Sequence, residues 1–144
     1  MADQRDIIPD DVKQVIRDSF FKDLKDDVLI EVFTLAGMND KYNEAAVGLV
    51  RALAELSPKV KATFHTVGDA QSMKRGVTRS PSVLIAPDKY RMRYTGAPVG
   101  EEGRALLLAI MMASTRAVTL TEQSVNQLLE LKDRREVQVY VSPT

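Results

Sequence analysis

Cysteine is absent from the 144-residue chain. Structural disulfides, thiolate metal sites and dithiol redox chemistry by this chain are excluded together, because each needs a sulfur ligand or nucleophile. A single histidine leaves no room for a histidine-rich metal centre. No metal or other cofactor is expected. Neither sign of charge is in excess, with twenty acids against twenty bases. A general nucleic-acid binder would carry a basic patch or stripe, so nucleic acid is not an expected partner. No apolar run reaches the ~18 residues of a membrane-spanning helix. The start, Met1-Ala2-Asp3-Gln4-Arg5-Asp6, lacks the apolar core of a signal peptide. The expectation is a soluble cytoplasmic protein whose length suits one domain with a real core.

What is present alternates between helix and strand signals. Asp10-Asp11 precede Val12, Val15, Ile16, Phe20 and Leu24, an acidic start followed by one apolar stripe, which predicts an amphipathic helix. Val28 to Thr34 is a near-continuous β run, fitting an interior parallel strand buried on both faces. Glu31 interrupts that run. A buried carboxylate is costly unless paired, so it is either ion-paired near the surface or a proton acceptor with a raised pKa. A helix follows from Lys41 to Leu56, with Ala45, Leu49, Ala52, Leu53 and Leu56 inward. Asn39 or Asp40 suits its N-cap, and Ser57-Pro58 ends it.

Val60 to Val67 alternates as an edge strand, with His65 on the more polar face. No partner can be named there that would make His65 catalytic. Gly68 to Arg75 reads as a short helix or turn with Gly76 as its C-cap. Lys74, Arg75 and Arg79 form a basic group, either a solvated loop or an anion or partner contact.

The chain is organised around Arg79-Ser80-Pro81-Ser82-Val83-Leu84-Ile85 and its continuation Tyr94-Thr95-Gly96-Ala97-Pro98-Val99-Gly100. Proline cannot donate to a sheet ladder, so Pro81 belongs at a strand entrance or an edge. An X-Pro bond prefers trans by roughly 0.5–1 kcal/mol, and a cis isomer there would need tertiary context to hold it. Ser82–Ala86 and Tyr90–Thr95, joined by Pro87-Asp88-Lys89, predict an antiparallel hairpin. The helix from about Glu101 to Ser114 is apolar nearly all round, implying a second packing partner besides the sheet. Thr119 or Thr121 can cap a further helix, and Glu136 to Thr144 begins a new strand.

The order strand, helix, strand, short helix, proline-led strand, strand, helix, with Gly96-Ala97-Pro98-Val99-Gly100 after it, resembles the thioredoxin fold. More narrowly it is similar to the cysteine-free first unit of tandem thioredoxin domains. Such units occur in protein disulfide oxidoreductases and in the N-terminal domain of the alkyl hydroperoxide reductase flavoprotein subunit. The resemblance runs from about Val12 to Thr144. It implies an α/β three-layer sandwich with a four-stranded mixed central sheet and flanking helices. An extra N-terminal helix and a C-terminal helix-strand extension would complete it. Residues 1–116 would form the thioredoxin-like domain and 117–144 the start of a second unit.

Counted from Phe33-Thr34, the positions of the family's Cys-x-x-Cys fall on Asn39 and Tyr42, neither of which exchanges thiols. The resemblance therefore implies a redox-inactive unit that binds a protein or peptide partner at a cis-proline loop. Its surface would comprise Asn39, Asp40, Tyr42, Arg79, Ser80, Pro81 and Gly96, with the Ser80 backbone offered for strand addition. A homo-oligomer or a second thioredoxin unit is the other expected partner. Two alternatives stay open. The chain can be part of a disulfide oxidoreductase or peroxide-reducing enzyme whose dithiol lies beyond Thr144. It can also bind a small thiol peptide near Arg79.

Overall fold

The computed structural model describes residues 7–142. Met1–Asp6, read above for a signal-peptide core, and Pro143–Thr144, at the end of the expected last strand, lie outside the described residues. The architecture is a mixed four-stranded sheet flanked by helices. In chain order it runs α1 (Asp10–Val15), a π-helical turn (Ile16–Phe21), β1 (Val28–Thr34), α2 (Asp40–Leu56), β2 (Val60–Thr66) and α3 (Ala70–Arg75). Then come β3 (Ser82–Ile85), β4 (Met92–Thr95), α4 (Glu101–Thr115) and α5 (Glu122–Leu129).

The sheet order is β2-β1-β3-β4. β1 pairs with β2 in parallel, Val28 opposite Val60 through Thr34 opposite Thr66. On its other side β1 runs antiparallel to β3, with Val32 opposite Val83. That central place explains the unbroken apolar run of β1, since both of its faces are covered. Val28, Ile30 and Val32 join Val83 and Ile85 in the main core with α2, α4 and the N-terminal helix. Phe33 and Leu84 point the other way, into a smaller cluster with Val77. By strand alternation Glu31 shares that second face. β3 and β4 form the expected hairpin, Ser82 opposite Thr95.

Four expectations are corrected. The buried stripe of α2 is Asn43, Ala46, Val50 and Leu53, so of the five residues expected inward only Leu53 is fully buried. The reason is a second neighbour: the N-terminal helix lies along the flank of α2 and draws Leu49 towards itself, away from the sheet. The same helix answers the apolar surplus of α4. Leu106, Ile110 and Ala113 are buried in the core, and α4 packs on the π-helical turn as well as on β1 and β3. Its second partner is thus within this chain.

Third, Asp10 and Asp11 do stand in the first turn of α1, but Val12 and Val15 remain exposed while Ile16 and Phe21 are buried. The π-helical turn shifts the apolar stripe across the helix by changing the residue period. Fourth, the expected C-terminal strand does not form. Thr121 caps α5, its Oγ1 accepting from the Ser124 amide at 3.2 Å. Residues 130–142 enter no ladder, and Val137, Val139 and Tyr140 lie open. A strand needs a neighbour for its amides and carbonyls, and no described strand runs beside this segment.

Candidate functional site

The turn between β1 and α2 is built by local hydrogen bonds. Asp40 Oδ1 accepts from the Gly37 amide at 2.8 Å, and the Met38 amide donates to the Leu35 carbonyl at 3.1 Å. Asn39 takes the N-cap position in the left-handed region, φ 59° and ψ 39°, a conformation asparagine adopts more readily than most side chains. Its carbonyl accepts from the amides of Tyr42 and Asn43, both at 2.9 Å. Neither Asn39 nor Asp40 accepts from a first-turn amide through its side chain, as the N-cap reading expected. Asn39 instead turns its amide outward from the helix, and Nδ2 donates to the Ser80 carbonyl at 2.9 Å.

Ser80 is the centre of the network that results. Its Oγ accepts from the Leu35 amide at 2.7 Å and donates to Asn43 Oδ1 at 2.7 Å. Asn43 Nδ2 in turn donates to the carbonyls of Leu35 at 3.0 Å and Met38 at 2.8 Å. The proline loop is thereby tied to both ends of the β1–α2 turn. The Ser80–Pro81 peptide is cis, Pro81 is fully buried, and its carbonyl accepts from the Gly96 amide at 2.9 Å. Among the described residues no buried side-chain polar atom lacks a partner.

The structure therefore gathers Asn39, Ser80, Pro81 and Gly96 into one bonded unit. Tyr42 and Arg79 flank it with exposed side chains, and Asp40 is held on Gly37. Ser80 is not open as expected: the residue is 4 % exposed and its carbonyl is already taken by Asn39. Asn43 and Leu35 were missed. The available signal was an asparagine on the apolar stripe of α2, one turn from the N-cap, where a buried amide needs partners.

No nucleophile is activated here. The Ser80 hydroxyl donates to an amide oxygen, which is no base. His65 stacks on Phe33 with ring centroids 5.1 Å apart, and its Nε2 meets Thr63 Oγ1 at 2.9 Å. Glu31 is buried, and it is paired: Arg75 Nε lies 2.8 Å from Oε2, Nη2 lies 3.1 Å from Oε1, and Gln71 donates to Oε1 at 2.7 Å. Arg75 also reaches Asp88 at 2.9 Å. The Glu31 hydrogen bond, followed by that of Asp88, drives the already high pKa of Arg75 further up. Arg75 thus leaves the expected basic group, whose exposed members are Lys74 and Arg79. No metal-holding cluster of His, Asp or Glu, and no helix long and apolar enough to cross a membrane, occurs among the described residues.

A separate apolar groove of about 540 Å³ lies between the N-terminal helix, α2 and α4, lined by residues such as Val12, Ile16, Leu49, Val99 and Leu107. None of the residues around Ser80 lines it, and Arg104 is its one charged wall residue. It lacks the converging polar groups that orient a ligand, whereas the Ser80 network has them.

The solved protein disulfide oxidoreductase from Aeropyrum pernix K1 superposes with a TM-score of 0.74 at 25 % identity, over 88 % of this chain and 56 % of that one. The N-terminal domain of alkylhydroperoxide reductase AhpF from Enterococcus faecalis gives 0.73 at 21 % identity, over 86 % and 61 %. This chain has a thioredoxin-like fold. The thioredoxin-like chain spans well under two thirds of the length of either solved protein. No family model and no curated protein sequence matches it.

Proposed function

We propose that this thioredoxin-like unit is redox-inactive and holds a protein or peptide partner at its proline loop, as a binding or scaffold module of a thiol–disulfide system. One observation carries the reading. Where the resemblance puts a dithiol, Asn39 and Tyr42 stand at the start of α2, yet the loop facing them is secured through Ser80, Asn43 and Leu35. The proposed surface is Asn39, Asp40, Tyr42, Arg79, Ser80, Pro81 and Gly96. Tyr42, 47 % exposed, supplies apolar contact, and Arg79 supplies charge. The module works in the cytoplasm and needs no cofactor.

The test is selection of a phage-displayed library of random linear peptides on the wild-type chain. Tyr42→Ala combined with Arg79→Glu should weaken the selected peptide by about ten-fold or more. Unchanged affinity, or no selectable peptide, overturns the reading.

A second reading is favoured by the share of the solved proteins that the chain spans, 56 % and 61 %. In it the same module is the opening part of a longer disulfide oxidoreductase or peroxide-reducing enzyme. A Cys-x-x-Cys encoded beyond Thr144 supports that reading, and a gene without one removes it. Association with a second thioredoxin unit or with another copy of the chain belongs to the same proposal, and the exposed Leu128, Leu129, Val137 and Tyr140 support it.

A further inference from the structure

The backbone of Ser80 is half occupied. Its carbonyl accepts from Asn39 Nδ2 at 2.9 Å, while its N–H donates to no group among the described residues. Ser80 is 4 % exposed, and a buried amide left without an acceptor is costly. The unmet group is thus a donor, and the acceptor beside it is already satisfied.

We propose that Asn39 sets the hydrogen-bonding polarity of recognition at this loop. The site takes a partner's carbonyl on the Ser80 N–H and requires no N–H in return. A segment joining by ordinary strand addition exchanges both bonds with the residue it faces. A partner segment here gains nothing from its own N–H, because the Asn39 amide stands in its place. The chemistry that fits is an extended segment with proline at the paired position, which offers a carbonyl and has no N–H to leave unmet. The exposed Tyr42 ring adds an apolar face of the kind that proline-rich segments dock on. This inference rests on the proposed peptide-binding function and assigns the partner class of that same site.

The test uses the peptide selected on the wild-type chain and its scan by N-methyl substitution, one residue at a time, with affinities measured by calorimetry. Asn39→Gly removes the amide while glycine keeps the left-handed backbone at this position, and a melting curve confirms that the variant is folded. On the wild type, N-methylation or proline at the residue facing Ser80 should change affinity less than two-fold. On Asn39→Gly the same change should cost about five-fold, the size of one net hydrogen bond, because the Ser80 carbonyl is now open to the peptide N–H. An equal loss on both proteins overturns the inference and leaves the peptide-binding function standing. A peptide that protects neither the Ser80 nor the Tyr42 amide from hydrogen exchange overturns both.

Discussion

Arg75 clasps Glu31 across the second face of the sheet, two nitrogens on two oxygens at 2.8 and 3.1 Å, with the carboxylate 3 % exposed. The pair ties α3 to β1 and so fixes the segment leading to Arg79 and Ser80. Removing one partner of a buried pair strands the other charge, at about 3–5 kcal/mol, whereas replacing both with apolar groups is often neutral. Glu31→Met and Arg75→Met should each lower the unfolding free energy by about 3 kcal/mol. The double variant should lose much less than the sum. Additive losses in urea melts would show the two groups acting separately.

Asn43 holds three groups at once, the carbonyls of Leu35 and Met38 and the hydroxyl of Ser80. Asn43→Leu keeps the volume and strands them, at about 1–3 kcal/mol per group left unsatisfied. Thermal melts should place this variant well below Asn39→Gly, which gives up a single bond to the Ser80 carbonyl. Equal stability of the two would mean that Asn43 is no keystone.

A thiol placed at Asn39 tests whether the inherited geometry survives. It would sit at the N-terminus of the 17-residue α2, where the dipole and free amides favour a thiolate. Asn39→Cys should react with iodoacetamide at neutral pH several-fold faster than a control cysteine at exposed Thr119. The pair Asn39→Cys with Tyr42→Cys should form a reducible disulfide. Rates matching the control would contradict this.

Asp69 caps α3, its Oδ1 accepting from the Ser72 amide at 2.7 Å. That bond first, then the Thr66 amide and the charge of His65, hold its carboxyl below the ordinary 3.8 despite partial desolvation. Because the folded-state value is the depressed one, the stabilisation is complete above 3.8 and is lost as pH falls through the folded value. Melting temperature should therefore fall less steeply below about pH 4 in Asp69→Asn than in wild type. Parallel acid limbs would remove Asp69 from the account.

Much of the fold was legible because it rests on local signals. The seven-residue apolar run of β1, the αL glycine after α3 and the proline-led hairpin each declare themselves within a few residues. What was hidden depends on contacts between distant segments. The N-terminal helix changes which residues of α2 and α4 count as inward, and no periodicity within those helices records it. Glu31 looked anomalous until Arg75, 44 residues away, met it. At the site, Asn39 and Ser80 were both visible, but not that one would satisfy the other across 41 residues. The stretch Val137–Val141 had a strand's composition, and composition does not supply a neighbour.

The central claim, that a thioredoxin-type proline loop serves here as a grip with no sulfur chemistry, is tested most directly by an NMR titration of the isotope-labelled chain with the selected peptide. The account predicts that backbone amide shifts concentrate at residues 38–43, 79–82 and 95–97. Shifts confined to the groove beside α1 and α4, or none at all, would contradict it.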